Sequence, residues 1–347
     1  MRTSNRERFT MPAEWAPHDA VWTAWPHDPE QWTEGLDEPQ RALMAMCAAI
    51  VDLDDHGQPR GERVELLVRG PVDEAAARAL LGAAATGVRF HHGRYGDVWL
   101  RDTGPIFLTR AGEVTAARFG FDGWGGKYLM DGDREVSARV TRACGLSGAA
   151  YDFVLEGGAI EVDGEGRLLT TKQCLLGGAR NPGLDEAALE ARLRWALGVE
   201  HVIWLDRGLE NDHTDGHIDT LARFVAPGVV AAMEPAPGDP NRDALRGILD
   251  DLRAARPGGH ALEVVAVPSP GEVRDRSGVL LPASYMNFYL SNTAVVVPTY
   301  GVAADDAAVA AIAKLFPGRR AVGLAGKPVV VGGGAFHCST QQQPTRP

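Results

Sequence analysis

The chain contains 347 residues, of which 45% are hydrophobic and 23% are charged, as in an ordinary soluble globular protein. The formal net charge of −11 argues against a nucleic-acid-binding protein, which needs a basic surface, and suits a small cationic substrate. The N-terminal segment has no apolar core of a secretion signal, no stretch reaches the length of a membrane span, and the four cysteines form no CxxC pair. We therefore expect a cytoplasmic protein with neither a disulfide framework nor a structural zinc site.

Five segments have the periodicity of amphipathic helices, and their starts are spaced by about 50 to 65 residues. They cover roughly residues 72–84, 133–144, 185–197, 241–255 and 303–316. Between them lie apolar runs that predict β-hairpins, with turns at Ala111–Gly112, Asp163–Gly164, Pro227–Gly228 and Ser291–Asn292. Near the C-terminus, a predicted strand over residues 328–331 runs into three glycines and then His337 and Cys338.

This repetition predicts the architecture. A period above about 50 residues, with strands and a helix in each unit, is typical of radial repetition around an axis. The sequence favours a propeller-like fold in one domain over residues 1–347, and an α+β domain with accidental spacing is the alternative. Most hairpins start just after a polar side chain, and Cys338 ends the fifth predicted strand. The converging positions are Asp102, Glu156, His217 with Asp219, Asn287 and Cys338.

The chemistry of this set points to a cationic substrate. Three carboxylates in one pocket resist ionisation unless a cation joins them, and a planar guanidinium matches carboxylates with paired hydrogen bonds. A thiol beside a histidine indicates nucleophilic attack, here by Cys338 on a guanidinium carbon. Each residue also has an ordinary alternative. Cys338 could be a small buried hydrophobe, Asp102 an ion-pair partner of Arg101, Glu156 a turn cap and His217 a core histidine.

Several runs together resemble the agmatine deiminase family of the guanidino-modifying (amidinotransferase) superfamily. They are MPAEWAPHDAVWTAWPHD, DVWLRDTGP, WGGKY, LEGGAIEVDGEG, RNPG, TDGHID, PASYMNFYLSN and GGGAFHCSTQQQP. The resemblance extends from Met11 to Pro344, nearly the whole chain. It implies a pseudo-fivefold α/β propeller of ββαβ-type units around a central active-site pocket, no cofactor, and a homo-oligomer that is a dimer or larger.

The resemblance also implies a role for each matched residue. Cys338 matches the nucleophile, His217 the general acid and base, and Glu156 the carboxylate that orients this histidine and keeps it protonated. Asp102 and Asp219 match the pair that grips the guanidinium nitrogens. The reaction implied is hydrolysis of agmatine to N-carbamoylputrescine and ammonia through an amidino-cysteine intermediate, a step of putrescine biosynthesis.

Two further residues are weaker candidates for contacts with the rest of the substrate. Trp99, three residues before Asp102, is expected to form a pocket wall, and Asp215 is expected to read the far amine. Trp124 is expected to be a packing residue.

Two other classes of function compete. The run HTDGH has the spacing of a helical zinc site, which would make the protein a metal-dependent hydrolase. Thr214 in place of the expected glutamate and the helix-disfavouring Gly216 argue against that site. The third reading is a propeller that binds a polyamine without catalysis.

The sequence departs from the family pattern at positions beside the matched residues. Ala335 and Phe336 replace Asn-Ile, Thr220 replaces Asn, and His213 stands where an acidic residue is expected. The related bacterial peptidyl-arginine deiminases are exported and carry additional domains, whereas this chain ends four residues after its QQQ run. We therefore expect a small guanidino substrate, agmatine first and an arginine-like compound as the alternative.

Overall fold

A computed structural model describes residues 8–347 as a mixed α/β fold. Within these residues sixteen strands form five separate sheets, none of which closes into a barrel. The strands are β1 His18–Ala24, β2 Arg63–Val68, β3 Val88–His92, β4 Ile106–Arg110, β5 Glu113–Gly120, β6 Gly148–Val154, β7 Glu161–Val162, β8 Arg167–Thr171, β9 His201–Leu205, β10 Ala222–Ala226, β11 Val229–Glu234, β12 Glu263–Pro268, β13 Tyr289–Leu290, β14 Ala294–Thr299, β15 Arg320–Ala325 and β16 Gln341–Pro344. The helices are α1 Asp37–Val51, α2 Pro71–Leu81, α3 Leu100–Thr103, α4 Gly123–Gly126, α5 Asp133–Ala143, α6 Lys172–Leu176, α7 Glu186–Leu197, α8 Arg242–Ala254, α9 Asp305–Leu315 and α10 Lys327–Val330.

Four of the sheets share one plan. An antiparallel hairpin is followed by a helix, and the third strand then pairs parallel with the second strand of the hairpin. These sheets are β4-β5-β6, β7-β8-β9, β10-β11-β12 and β13-β14-β15. The four predicted hairpins and the five predicted helices, which are α2, α5, α7, α8 and α9, are confirmed.

The fifth sheet joins the two ends of the chain. The C-terminal strand β16 pairs antiparallel with β1, so that Trp22 faces Gln341, and β2 and β3 extend the sheet with parallel pairs. This sheet therefore repeats the plan of the others with its first strand taken from the C-terminus. The turn that precedes β16 carries Cys338 and is fixed by strands from both ends of the sequence.

Sequence-local signals account for the predicted helices. The Asp185 side chain accepts a hydrogen bond from the Ala188 N–H at the start of α7, and Gly198 ends this helix with a left-handed φ of 71°. Helix α8 buries one stripe of residues at helical spacing, which are Leu245, Ile248, Leu249 and Leu252. Full burial of each such side chain stabilises the fold by roughly 1.5–3 kcal/mol.

Two elements differ from the prediction. The run over residues 328–331 forms the helical turn α10 rather than a strand, because Val329 and Val330 both donate backbone hydrogen bonds to the Gly326 carbonyl. The helical turn also directs these two neighbouring valines into different buried clusters. Cys338 therefore does not end a strand, but lies in a turn between α10 and β16. The longest helix, α1, was not predicted.

Among residues 8–347, no helix combines the length and the apolar character that a membrane span requires.

Candidate active site

The polar residues singled out in the sequence occupy equivalent places in the fold, each just ahead of the first strand of its sheet. They are Asp102 before β4, Glu156 before β7, His217 and Asp219 before β10, Asn287 before β13 and Cys338 before β16. A short helical turn lies just before each of three of these strands, at Leu100–Thr103, Gly157–Ala159 and Ile218–Thr220.

Gly158 marks the point where these side chains meet. A Cβ atom at this position would lie 2.6 Å from His217 Nδ1, 2.9 Å from Asp102 Oδ1 and 3.1 Å from Asp219 Oδ2. Only glycine leaves enough space here for three polar side chains from two sheets. Its backbone N–H donates to Asp102 Oδ1 at 2.9 Å, so the glycine also fixes that carboxylate.

Cys338 is only 3% exposed and is held by two polar side chains. Asn287 Nδ2 donates to the sulfur at 3.0 Å, and the thiol donates to Asp219 Oδ2 across 3.3 Å. Asn287 Oδ1 accepts the backbone N–H groups of Cys338 and Ala335, which fixes the turn. Burial, and then the charges of Asp219 and Asp102, raise the pKa of Cys338, so the empty site favours a thiol over a thiolate.

Among residues 8–347, Asp102 accepts hydrogen bonds from neutral donors only, the Trp124 indole N–H at 2.9 Å and the Gly158 N–H. Burial and then the charges of Asp219 and Glu156 raise its pKa. Trp124 was expected to be a packing residue, yet it adopts a left-handed φ of 55° that directs its indole to this carboxylate.

His217 is fully buried, and neither of its ring nitrogens has a hydrogen-bond partner within residues 8–347. Its Nδ1 lies 3.7 Å from Asp102 Oδ1, too far for a hydrogen bond. Burial lowers the pKa of His217 to about 3, and the charge of Arg180 contributes to the lowering. Burial therefore favours the neutral imidazole, and Glu156 makes no hydrogen bond to the ring among residues 8–347. That Glu156 orients His217 and keeps it protonated during the reaction stays a prediction.

Glu156 is held by a cation that the sequence analysis had not assigned. Arg180 Nε donates to both carboxylate oxygens of Glu156, at 2.8 and 3.0 Å, and Arg180 Nη1 donates to Asp215 at 3.0 Å. Lys127 pairs with the other oxygen of Asp215 at 2.7 Å. Asp215 is thus neutralised by two cations of the protein. In the sequence, Arg180 was noted only as part of the RNPG run that resembles the family. Nothing in the sequence indicates that it binds Glu156.

A second set of buried charged groups is connected to Asp219 through His337. This set, here called the Glu14 network, consists of Glu14, Glu161, Arg223 and His337. His337 donates from Nδ1 to Asp219 Oδ2 and from Nε2 to Glu14 Oε2, each at 2.7 Å. Both partners are carboxylates, so the imidazole ring is held between two hydrogen-bond acceptors. Arg223 binds Glu14 at 2.6 Å and Glu161 at 2.8 Å.

The network sets the state of Asp219. Burial alone would raise the pKa of this carboxyl, but the hydrogen bond and the charge of His337 outweigh burial and lower it. Oδ2 of Asp219 faces His337 and Cys338, whereas Oδ1 has no hydrogen-bond partner among the described residues. Asp219 is therefore an ionised carboxylate with one free oxygen.

A cavity of about 190 Å³ opens beside Cys338. Its lining includes Asp97, Trp99, Asp102, Trp124, His213 and Cys338. Trp99 thus lines the cavity, as expected, whereas Asp215 does not. His213 is exposed at the cavity and packs against the Tyr128 ring, with centroids 5.5 Å apart.

The other departures from the family pattern also lie close to the site. Ala335 is bound through its backbone to Asn287, and Phe336 is fully buried in the core. The Thr220 hydroxyl donates to the His217 carbonyl at 2.9 Å. These contacts position the neighbours of Cys338 and His217 without replacing either of them.

Two sets of side chains within residues 8–347 bring three ligand atoms together as a metal site requires, Glu156–Cys174–His217 and Glu14–Glu161–His337. In each set a buried arginine already binds a carboxylate, Arg180 in the first and Arg223 in the second, and its charge opposes a metal cation. His213 belongs to neither set, and the segment over residues 211–217 is a succession of turns rather than a helix. The HTDGH segment therefore lacks the geometry of a helical zinc site.

The comparisons with known proteins agree over nearly the whole chain. The profile of the Porphyromonas-type peptidyl-arginine deiminases matches residues 10–344. The agmatine deiminase of Pseudomonas aeruginosa is 36% identical over 99% of this chain and 97% of its own length. The structure of the Enterococcus faecalis agmatine deiminase superposes with a TM-score of 0.90 at 31% identity, covering 99% of this chain and 97% of that chain.

Two further structures extend the comparison. A Cys-to-Ser variant of the C. jejuni agmatine deiminase with substrate bound has a TM-score of 0.87 at 26% identity, and covers 98% of this chain and 97% of that chain. The amidinotransferase of Microseira wollei, at 13% identity and a TM-score of 0.50, shares the fold. The chain belongs to the Porphyromonas-type peptidyl-arginine deiminase family, has a mixed α/β fold that this amidinotransferase shares, and is similar over nearly its whole length to agmatine deiminases.

Proposed function

We propose that the protein is an agmatine deiminase, which hydrolyses agmatine to N-carbamoylputrescine and ammonia with Cys338 as the nucleophile. The observation that carries this proposal is the position of the Cys338 thiol. It lies at the cavity that Asp102 also lines and is 3.3 Å from the ionised Asp219, whose other oxygen has no hydrogen-bond partner among residues 8–347. A guanidinium supplies the donors and the charge that these groups lack.

Substrate binding would activate the nucleophile. The guanidinium offsets the charges of Asp102 and Asp219, which together with burial hold Cys338 as a thiol. The proton of Cys338 then moves to His217, giving a thiolate and an imidazolium without any change in the total number of protons. The neutral state of His217 in the empty site suits this role as acceptor.

The remaining steps balance without a cofactor. The thiolate forms a bond to the guanidinium carbon, and His217 gives its proton to the departing nitrogen, which leaves as ammonia. The amidino-cysteine that remains is attacked by water while neutral His217 takes a proton from it. Collapse of this adduct breaks the C–S bond and releases the ureido product, and the hydroxyl proton of the adduct returns to the sulfur. His217 then releases the proton that it took from water, which converts the ammonia to ammonium. Glu156, whose carboxylate lies within reach of the His217 ring, orients this histidine together with its partner Arg180.

We also propose that the five sheets are the blades of a pseudo-fivefold α/β propeller of ββαβ-type units, in one domain over residues 1–347. Contacts between residues that precede strands of different sheets support a common axis: Cys338 lies 3.0 Å from Asn287 and 3.3 Å from Asp219, and His217 lies 3.7 Å from Asp102. Assembly as a homodimer or a larger oligomer and a cytoplasmic location stay predictions.

The proposed function is tested by incubating the protein with agmatine, arginine and other guanidino compounds. We expect ammonia and the ureido product in equal amounts, agmatine as the preferred substrate, and full activity after exhaustive chelation. Loss of activity on chelation would favour a metal-dependent hydrolase. Binding of agmatine without release of ammonia would favour a binding protein, and a large preference for arginine would replace the substrate but retain the chemistry.

A further inference from the structure

A second buried carboxylate, Asp97, lines the same cavity as Cys338 and Asp102. Asp97 is 4% exposed and accepts a hydrogen bond from the Trp32 indole N–H at 3.2 Å. Nothing in the sequence singles out Asp97, and Asp215 was expected to bind the far amine of the substrate instead. Asp215 is already paired with Lys127 and Arg180 and does not line the cavity. The far amine of the substrate therefore has to bind another group.

Asp97 has no cationic partner within residues 8–347. Its donors are neutral: the indoles of Trp32 and Trp99 and the Val98 backbone N–H. The one charge that acts noticeably on it is that of another acid, Asp133. Burial, and then Asp133, raise the pKa of Asp97 to about 7. A buried carboxylate in this environment is unfavourable unless a cation from outside the protein joins it.

Other buried carboxylates around the site, unlike Asp97, have cationic side chains of the protein as partners. Glu156 has Arg180, Asp219 has His337 and Glu14 has Arg223, all at hydrogen-bonding distance. Asp97 and Asp102, the two carboxylates that line the cavity, have only neutral donors, because His217 beside Asp102 is uncharged. The cavity thus offers two separate sites for positive charge and calls for a substrate with two cationic groups.

The wall near Asp97 suits an alkyl chain between two such groups. Trp99 lines the cavity and stacks on Trp32, with ring centroids 5.9 Å apart and planes inclined by 25°. Indole faces provide apolar surface for methylene groups and attract a nearby ammonium. Trp99 lies between Asp97 and Asp102 in the sequence, so one short segment would carry both charge sites and the apolar wall.

We infer that Asp97 is the subsite for a terminal ammonium of the substrate, and that the protein therefore selects alkylguanidines with a cationic tail. This inference rests on the proposed function, because it assigns the two ends of one substrate to Asp102 and Asp97. Asp97 binds the ammonium directly, and Trp99, which Trp32 supports from behind, lies along the methylene chain. Guanidino compounds with a neutral tail leave Asp97 unpaired.

The test combines a change in the protein with a change in the substrate. Asp97→Asn keeps the shape of the side chain and removes its charge, and butylguanidine resembles agmatine without the ammonium. We expect Asp97→Asn to lower kcat/KM for agmatine by about 10- to 100-fold and for butylguanidine by less than about 3-fold. Asp239→Asn is the matched control, because Asp239 is also a buried acid but does not line the cavity and does not act on Asp97. It should change both substrates by the same factor.

Equal losses for the two substrates in Asp97→Asn would overturn the subsite, since a residue that only holds the tryptophans affects both alike. The wild-type protein provides a second test that does not depend on folding of a variant. It should prefer agmatine over butylguanidine by at least about 10-fold in kcat/KM, and equal values would also overturn the subsite. If wild-type protein turns over neither compound, the proposed function fails and the subsite fails with it.

Discussion

In the Glu14 network, behind Cys338, each buried carboxylate has a cation of the protein as its partner, whereas on the cavity side Asp97 and Asp102 have only neutral donors. Both regions are almost completely shielded from solvent, so burial does not distinguish them. The difference lies in where the compensating charge comes from. The network is complete in the folded chain, and the cavity is completed only by a cationic ligand.

This difference separates residues that stabilise the fold from residues that act on substrate. Removing a partner from the network leaves an uncompensated buried charge, which destabilises the protein. Removing a carboxylate from the cavity relieves an unfavourable charge in the empty state but weakens substrate binding and catalysis. The same type of substitution should therefore have opposite consequences on the two sides of Cys338.

The largest effect is expected for Cys338→Ser. Turnover of agmatine should fall by at least about 10⁴-fold because the covalent step is lost. Binding of agmatine should largely persist, because the guanidinium is held by Asp102 and Asp219. Ammonia release and titration calorimetry measure the two properties. Substantial residual turnover would rule out covalent catalysis at this position.

A smaller loss is expected for Asp102→Asn, which keeps the shape of the side chain but removes the charge that faces the guanidinium. We expect kcat/KM for agmatine to fall by about 10²- to 10³-fold. The free energy of unfolding should fall by no more than about 1–3 kcal/mol, because the amide nitrogen of asparagine cannot accept one of the two N–H groups that bind Asp102. Trp124→Phe, which removes only the indole N–H donor to Asp102, should lower kcat/KM by less than about 10-fold. A loss of stability in Asp102→Asn above about 3 kcal/mol, as expected when a buried ion pair is broken, would contradict the assignment of Asp102 to the cavity side.

In the network, the expected effect is on stability. Arg223→Met leaves Glu161 and part of Glu14 without a partner, and should lower the free energy of unfolding by about 3–5 kcal/mol in a denaturant titration. The control is Arg253→Gln, which breaks an exposed ion pair with Asp250. This substitution should change the free energy of unfolding by less than about 1 kcal/mol. Similar values for both variants would remove the distinction between the two regions.

The repeat of strands and helices could be predicted because its signals are local. Helices with one buried stripe, such as α8, stand out in the sequence. Helix α1 does not, because residues on nearly all its sides are buried, including Leu43, Met44, Met46 and Cys47, so that the alternation with polar residues is lost. The valines of α10 have the composition of a strand, and only the backbone hydrogen bonds that Val329 and Val330 donate to the Gly326 carbonyl show a helical turn.

The residues of the candidate site could be predicted where each precedes a hairpin, as Asp102 and His217 do. Their partners could not, since Arg180 and His337 meet Glu156 and Asp219 through contacts between distant parts of the chain. Asp215 shows the consequence: it is an acid beside the site, but only the fold reveals that two cations already neutralise it. Asp97 was not predicted because the sequence does not show that this buried acid lacks a cationic partner; only the fold shows it.

The central claim is that Cys338 is a thiol in the empty site and becomes a nucleophile when a guanidinium compensates the adjacent carboxylates. The most direct test is the rate of alkylation of Cys338 by iodoacetamide in the substrate-free protein, followed by the mass of the peptide that contains it. Because the raised pKa keeps the thiolate a minor species, the rate should increase by about 10-fold per pH unit between about pH 6 and pH 9 without levelling off. A rate that is already constant below about pH 8 would show a preformed thiolate and contradict the account.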